Sequence, residues 1–244
     1  MSTQIDLYLL SCTYKHDFMP IVHRLKDLKL GYELAVWKAA EALDEILPLE
    51  ALNRHEKERY LTFTHSNRKR EFLAVRRLVR ELAGNHDYIN YGENGKPALQ
   101  DGRKLSISHS GDLIAVIIST EQDAGIDIEK LRDNIGAIAP KFISADELLA
   151  FGNTMTAEAM HLIWGAKEVM FKIYGKGEVD FKTDLKVGPA VNGERSGIQG
   201  FINKNDFKVE IEISYLKLED SMLVWAVGSR SEEHTSELQS RQYL

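Results

Sequence analysis

Only one cysteine, Cys12, occurs in the 244 residues, so neither an internal disulfide framework nor a Cys-rich zinc site can be built. Long apolar runs are also missing. None is longer than Leu113 to Ile118, which is far too short to span a bilayer. The opening Met-Ser-Thr-Gln-Ile-Asp has no basic region followed by an apolar one, so no secretory signal is expected. With the lone cysteine, this points to a cytoplasmic protein in a reducing compartment. Several catalytic signatures are absent too. There is no G-x-S-x-G elbow and no Walker-type loop, and His-Glu-Lys-Glu-Arg at 55–59 fails as a zinc helix at its last position. Gly175 and Gly177 form a G-x-G that follows a helix rather than opening one, which does not support dinucleotide binding. The eight histidines are scattered, so they offer little toward a metal site.

What is present is ordinary globular material: 43% hydrophobic and 28% charged residues, enough chain for one large domain or two small ones. The net charge of −6 is uneven. Between Arg54 and Arg80 nine Lys/Arg face three Glu, a segment of +6, which leaves −12 on the remainder. A basic segment in an acidic chain suits a compact polyanion, or is simply a solvated helix face.

Ile5 to Leu10 and Tyr32 to Trp37 read as strands. Lys38 to Leu47 reads as a helix stopped by Pro48, and a second helical stretch runs from about Ala51 to Tyr60. Asn67 to Leu82 is strongly amphipathic, with Phe72, Val75, Val79 and Leu82 at helical spacing and Gly84 and Asn85 at its end. Three strands follow: Leu105 to His109, Leu113 to Ser119 and Gly125 to Glu129. Ser144 to Phe151 opens with a capping box, Ser144 and Glu147. Glu158 to Tyr174 is a helix whose apolar stripe is Ala159, Ile163, Ala166, Met170 and Ile173. Phe207 to Tyr215 alternates as a half-buried strand, and Met222 to Val227 pairs back onto it. Strands, helix and strands thus occur twice, which predicts an α+β fold of two halves meeting near residue 120. No sequence repeat is visible.

In Gly125-Ile126-Asp127-Ile128-Glu129 the strand period of two puts both carboxylates on one face. They lie about 7 Å apart at the Cα level, and repel unless a cation lies between them. A hard divalent ion, Mg²⁺ foremost, is the natural partner; the alternative is a polar strand face that meets water. Trp164, Glu168 and Lys172 share one side of a helix with Lys167 beside them, and a plain surface salt bridge is the competing explanation. Ser108-His109 ends a strand, where it suits an anion or ordinary turn chemistry, and Gly95-Lys96-Pro97 reads as a turn.

Gly-Lys-Pro (95–97), Ser-Ile-Ser-His-Ser (106–110), Gly-Ile-Asp-Ile-Glu (125–129) and Trp-Gly-Ala-Lys-Glu-Val-Met-Phe-Lys (164–172), in this order, resemble the 4′-phosphopantetheinyl transferases, specifically the larger surfactin-type monomers. The motifs cover about Arg68 to Gly177. The resemblance implies a pseudo-dimer of two similar halves, 1–120 and 121–229, each a small antiparallel sheet packed on a long helix. It implies Mg²⁺ held by Asp127, Glu129 and Glu168. It places Lys167 and Lys172 on the phosphate and pantetheine region of coenzyme A, and Ser108 and His109 on the 3′-phosphate. Arg68 and Arg76, or Arg70 if the match slips, would meet nucleotide phosphates, with Lys96 in the nucleotide-binding turn. Where the family often has Ser, Thr or Cys, Gly165 stands, and where it often has a small residue, Val169 stands; both read as packing variation.

The implied reaction is attack by a serine of an apo acyl or peptidyl carrier protein on the β-phosphate of coenzyme A, expelling 3′,5′-ADP, with Mg²⁺, Lys167 and the arginines offsetting the charge. Glu168, directly or through a metal-bound water, is the expected base, with Glu147 second. Lys167 and Glu168 are thus the expected catalytic pair. Coenzyme A and the carrier are the expected partners of a monomer, with no nucleic acid and no membrane. Two alternatives remain. One is a nucleic-acid-binding module built on 54–80, which the −12 remainder and the absence of interleaved aromatics disfavour. The other is an inactive homologue that keeps only coenzyme A or carrier binding, against which the complete carboxylate triad argues. The segment 230–244 shows no apolar periodicity, and Arg230 to Ser240 resembles the in-frame translation of a widely used DNA sequencing adapter. Adapter or genuine polar tail, it is not expected to belong to the fold.

Overall fold

The computed structural model describes residues 21–84, 88–92, 95–152, 155–191 and 197–228. The strand expected at Ile5 to Leu10, Cys12, and the tail from Arg230 lie outside them. The described chain opens on a hairpin, β1 (Ile21–Asp27) and β2 (Tyr32–Lys38). Its turn is fixed by Asp27, whose Oδ1 accepts from the Lys29 and Leu30 N–H groups. β1 was not anticipated. The helix expected over Lys38 to Leu47 is also corrected, because β2 runs through Lys38 and Ala39 N–H still donates to Asp112 O at 2.8 Å. Only α1 (Leu43–Ile46) remains helical there. α2 (Arg54–Thr62) begins on an Asn53/Glu56 capping box. α3 (Ser66–Ala83) buries Phe72, Val75 and Val79, and ends at Gly84 with φ 106°.

Four strands follow as a meander: β3 (Ile89–Tyr91), β4 (Pro97–Leu99), β5 (Lys104–Ser110) and β6 (Leu113–Ser119). Pro97, expected in a turn, opens β4 instead. The second half repeats the plan with β7 (Ala124–Lys130), α4 (Ala145–Ala150) and α5 (Ala157–Tyr174). Then come β8 (Leu185–Val191), β9 (Gly197–Lys204), β10 (Phe207–Leu218) and β11 (Ser221–Val227), of which β8 and β9 were not anticipated.

The strand orders are β1-β2-β6-β5-β4-β3 and β7-β11-β10-β9-β8, both antiparallel. Without β1, each sheet pairs its first strand with its last and then counts back. The two α+β halves therefore share a topology although no repeat is visible in the sequence. α3 packs on the first sheet and α5 on the second, each closing its own apolar core. A third core lies between the sheets, where Tyr32, Leu34, Val36, Ala115 and Ile117 meet Ile126, Ile128, Leu223 and Trp225. β2 and β6 are thus buried on both faces, which explains the unbroken apolar run in β6. No helix among the described residues is long and apolar enough to cross a membrane.

Candidate functional site

β7 is covered on both faces. Ile126 and Ile128 enter the core between the sheets. The opposite face, carrying Gly125, Asp127 and Glu129, lies under α5. The approach is close, because a Cβ on Gly125 would meet Val169 O at 2.5 Å and one on Gly165 would meet Val224 Cγ2 at 2.8 Å. The two unusual residues of the α5 motif thus find their reasons: Val169 packs over a bare strand position, and Gly165 leaves room for Val224, while a Cβ there would also lie 3.5 Å from Asp127 Oδ2.

Asp127 therefore does not meet water; it is 4% exposed. Its Oδ1 accepts from Ser108 Oγ at 2.8 Å and from Lys172 Nζ at 2.8 Å. Lys172 also donates to Ile126 O at 2.8 Å. Asp127 Oδ2 is buried with no hydrogen-bond partner among the described residues, an expensive condition for a carboxylate oxygen. Glu129 and Glu168 are half-buried beside it. Burial pushes the Glu129 carboxyl upward, and the Asp127 charge adds to this against a hydrogen bond from Ser110. Burial likewise pushes Glu168 upward; Lys172 opposes this, while Asp127 and Glu129 reinforce it. The three carboxylates thus feel one another's charge across β7 and α5.

Among the described residues, no three or more His, Cys, Asp or Glu side chains are drawn together closely enough to hold an ion as placed. The donor set nevertheless fits a hard divalent cation. All three groups supply carboxylate oxygens, they repel one another, and one buried oxygen is orphaned.

The remaining sequence-predicted residues divide into those near β5 and those elsewhere. His109 is partly exposed at the end of β5, with Nδ1 3.6 Å from Glu71 Oε1. Arg68 donates to the other oxygen of Glu71 at 3.1 Å. Beside them is a cavity of about 290 Å³ lined by Asn67, Arg70, Glu71, Asp112 and Ile114 among others. Arg70 lines it while donating to Glu41 O. Lys96 reaches across to the second half, with Nζ 2.8 Å from Asp123 Oδ1 and 3.4 Å from Ile173 O.

Three expected phosphate contacts, those of Lys167, Arg76 and Ser108, are corrected. Lys167 is fully buried, and its ammonium donates to Phe142 O at 2.6 Å, Phe181 O at 2.7 Å and Glu147 Oε2 at 2.9 Å. All three of its protons are committed inside the second core, and burial pulls its pKa down. Glu147, the second choice for the base, is equally committed. It accepts from Ser144 N, Ser144 Oγ and Val187 N as well as Lys167. Arg76 is 4% exposed and donates to Glu56 Oε1 at 2.8 Å and Phe72 O at 3.2 Å, so it holds α2 to α3 rather than facing solvent. Ser108, expected on a phosphate, directs its hydroxyl to Asp127 instead. Sequence reasoning overlooked Glu71 and Ser110; the period-two serines of β5 were the available signal for the latter.

Over 115 residues the chain is 36% identical to the 4′-phosphopantetheinyl transferase AcpT of Salmonella typhimurium, covering 44% of this chain and 60% of that protein. AcpT of Escherichia coli K12 is 33% identical over 119 residues, covering 44% and 59%. The 4′-phosphopantetheinyl transferase psf-1 of Bacillus pumilus is 37% identical over 90 residues, covering 34% and 38%. The chain thus spans three fifths or less of these curated relatives. No family model matches it.

Proposed function

Taking similarity to the 4′-phosphopantetheinyl transferases as the premise, we propose that this protein transfers 4′-phosphopantetheine from coenzyme A to a serine of an acyl or peptidyl carrier protein. The observation that carries the reading is the buried Asp127, one oxygen orphaned, set against Glu129 and Glu168. Asp127, Glu129 and Glu168 would hold Mg²⁺. When bound, that ion would neutralise charge on the diphosphate as the leaving group departs.

The serine oxygen forms a bond to the β-phosphorus, the bond to the bridging oxygen breaks, and 3′,5′-ADP leaves with the electron pair. Glu168 takes the serine proton; the committed oxygens of Glu147 favour Glu168 over it in that role. Lys172, on the rim of the carboxylate group, supplies fixed positive charge toward the diphosphate. Arg68, Arg70 and His109, around the cavity at the start of α3, are suited to nucleotide phosphates, and Lys96 flanks the junction of the halves.

Arg76 and Arg80 of α3 are little exposed and turned onto a carboxylate and a carbonyl of the protein itself, which argues against α3 serving as an extended nucleic-acid surface. Asp127→Ala and Glu168→Ala test the reading. Both are expected to stay folded and to abolish pantetheinylation of an apo carrier protein. Full activity in either would remove the site assignment.

A further inference from the structure

The three serines of β5 do the same thing at three alternate positions. β7 is the edge of the second sheet and lies over β5, with β11 on its other side. Ser106 Oγ accepts from Ile126 N at 3.1 Å, Ser108 Oγ from Ile128 N at 3.2 Å, and Ser110 Oγ from Lys130 N at 3.1 Å. The hydroxyls thereby satisfy edge-strand N–H groups that would otherwise be left open.

At two of the three positions a second contact is added. Ser108 Oγ donates to Asp127 Oδ1 at 2.8 Å, and Ser110 Oγ stands 3.3 Å from Glu129 Oε2. At the third, the equivalent β7 residue is Gly125, which has no side chain. The direction of these bonds is fixed by chemistry. A main-chain N–H can only donate to the hydroxyl and an ionised carboxylate can only accept from it, so the single hydroxyl proton points at the carboxylate.

We infer that Ser108 and Ser110 are positioning residues for the metal-binding carboxylates, whereas Ser106 only stitches the two sheets together. Ser108 shares Asp127 Oδ1 with Lys172, and that double hold leaves Oδ2 as the buried oxygen available to a cation. Ser110 steadies Glu129 more loosely. The inference rests on the transferase reading, in which these carboxylates hold a divalent ion, and it moves Ser108 from the substrate phosphate to the carboxylate behind it.

The test is direct titration of Mn²⁺ alone into the full chain, read by the paramagnetic signal of the free ion, with the thermal midpoint recorded on the same samples. The wild type is compared with Ser106→Ala, Ser108→Ala and Ser110→Ala. All three substitutions lose one inter-sheet bond and are expected to lower the thermal midpoint. Ser108→Ala is expected to weaken Mn²⁺ binding about tenfold, as for other groups that orient a metal ligand from behind. Ser110→Ala should weaken it less, and Ser106→Ala should leave it unchanged. If Ser108→Ala alone cannot be folded, Ser110→Ala against Ser106→Ala carries the comparison. Equal affinity across the set, or an equal loss in Ser106→Ala, would overturn the inference while leaving the transferase reading in place. A wild type that binds no Mn²⁺ would overturn both.

Discussion

Glu147→Gln separates a structural carboxylate from a catalytic one. Glu147 and Lys167 are 2% and 0% exposed at the side chain, with 2.8 Å between Oε1 and Nζ. Their other contacts join the loop at Phe142, the start of α4, the loop at Phe181 and β8. Neutralising Glu147 leaves the Lys167 charge buried without a counterion. Removing one partner of such a pair costs about 3–5 kcal/mol. At about 2–4 °C per kcal/mol for a chain of this size, the thermal midpoint should fall by roughly 6–20 °C. Lys167→Met should cost a similar amount, and the double variant should recover about 0.5–3 kcal/mol relative to the sum. Urea unfolding followed by tryptophan fluorescence reads all four corners of the cycle. Glu147→Gln that melts with the wild type, yet has lost transferase activity, would refute the reasoning and restore Glu147 as a base.

Arg76→Met should lower stability through the loss of its buried Glu56 pair, while coenzyme A affinity, followed by calorimetry on the folded variant, stays unchanged. A selective loss of affinity would return Arg76 to the nucleotide site. Gly165→Ala should destabilise, because the new Cβ would meet Cγ2 of the fully buried Val224 at 2.8 Å. Overpacking of about 1–3 kcal/mol outweighs the roughly 0.8–1 kcal/mol that alanine adds as a helix former; a raised thermal midpoint would contradict this. Glu129 and Glu168 both titrate above 4.5 in the fold, so the folded state binds more protons between that value and their own. In that window stability falls as pH rises, and the penalty persists above it. In EDTA, acidification from neutrality toward pH 4.5 should therefore favour the wild type more than Glu129→Gln/Glu168→Gln, and equal slopes by urea titration would count against the carboxylate cluster.

The long helices were legible because periodicity and caps agree. Thr156 caps α5 at one end and Gly175 at the other, and α3 carries its stripe to Gly84. The strands buried on both faces announced themselves as apolar runs. β8 did not, since Gly188 and Pro189 interrupt it and the register with β9 shifts between Val187 and Ala190. β9 was hidden by glycines; a Cβ on Gly200 would meet Ile213 Cδ1 at 2.5 Å and Met170 Sδ at 2.9 Å, so close packing put there a residue that disfavours strands. Local composition favoured a helix after Lys38, but the bond from Ala39 to Asp112, seventy-three residues away, prolongs the sheet.

In the site, the period of two was enough to pair Asp127 with Glu129. Lys167 was misplaced because adjacent helical residues point about 100° apart. Glu168 faces the strand carboxylates, while Lys167 turns into the core toward Glu147, a partner twenty residues away in sequence. Arg76 was misplaced for the same reason, since its partner Glu56 belongs to another helix. Ser108 looked like an anion ligand because the parallel course of β5 against β7 is a tertiary fact.

Intact mass of an apo carrier protein after incubation with the full chain, coenzyme A and Mg²⁺, beside an EDTA control, tests the central claim most directly. The account predicts a gain of one phosphopantetheine unit that EDTA abolishes. A folded sample that neither modifies carriers accepted by an established transferase nor binds coenzyme A would contradict it.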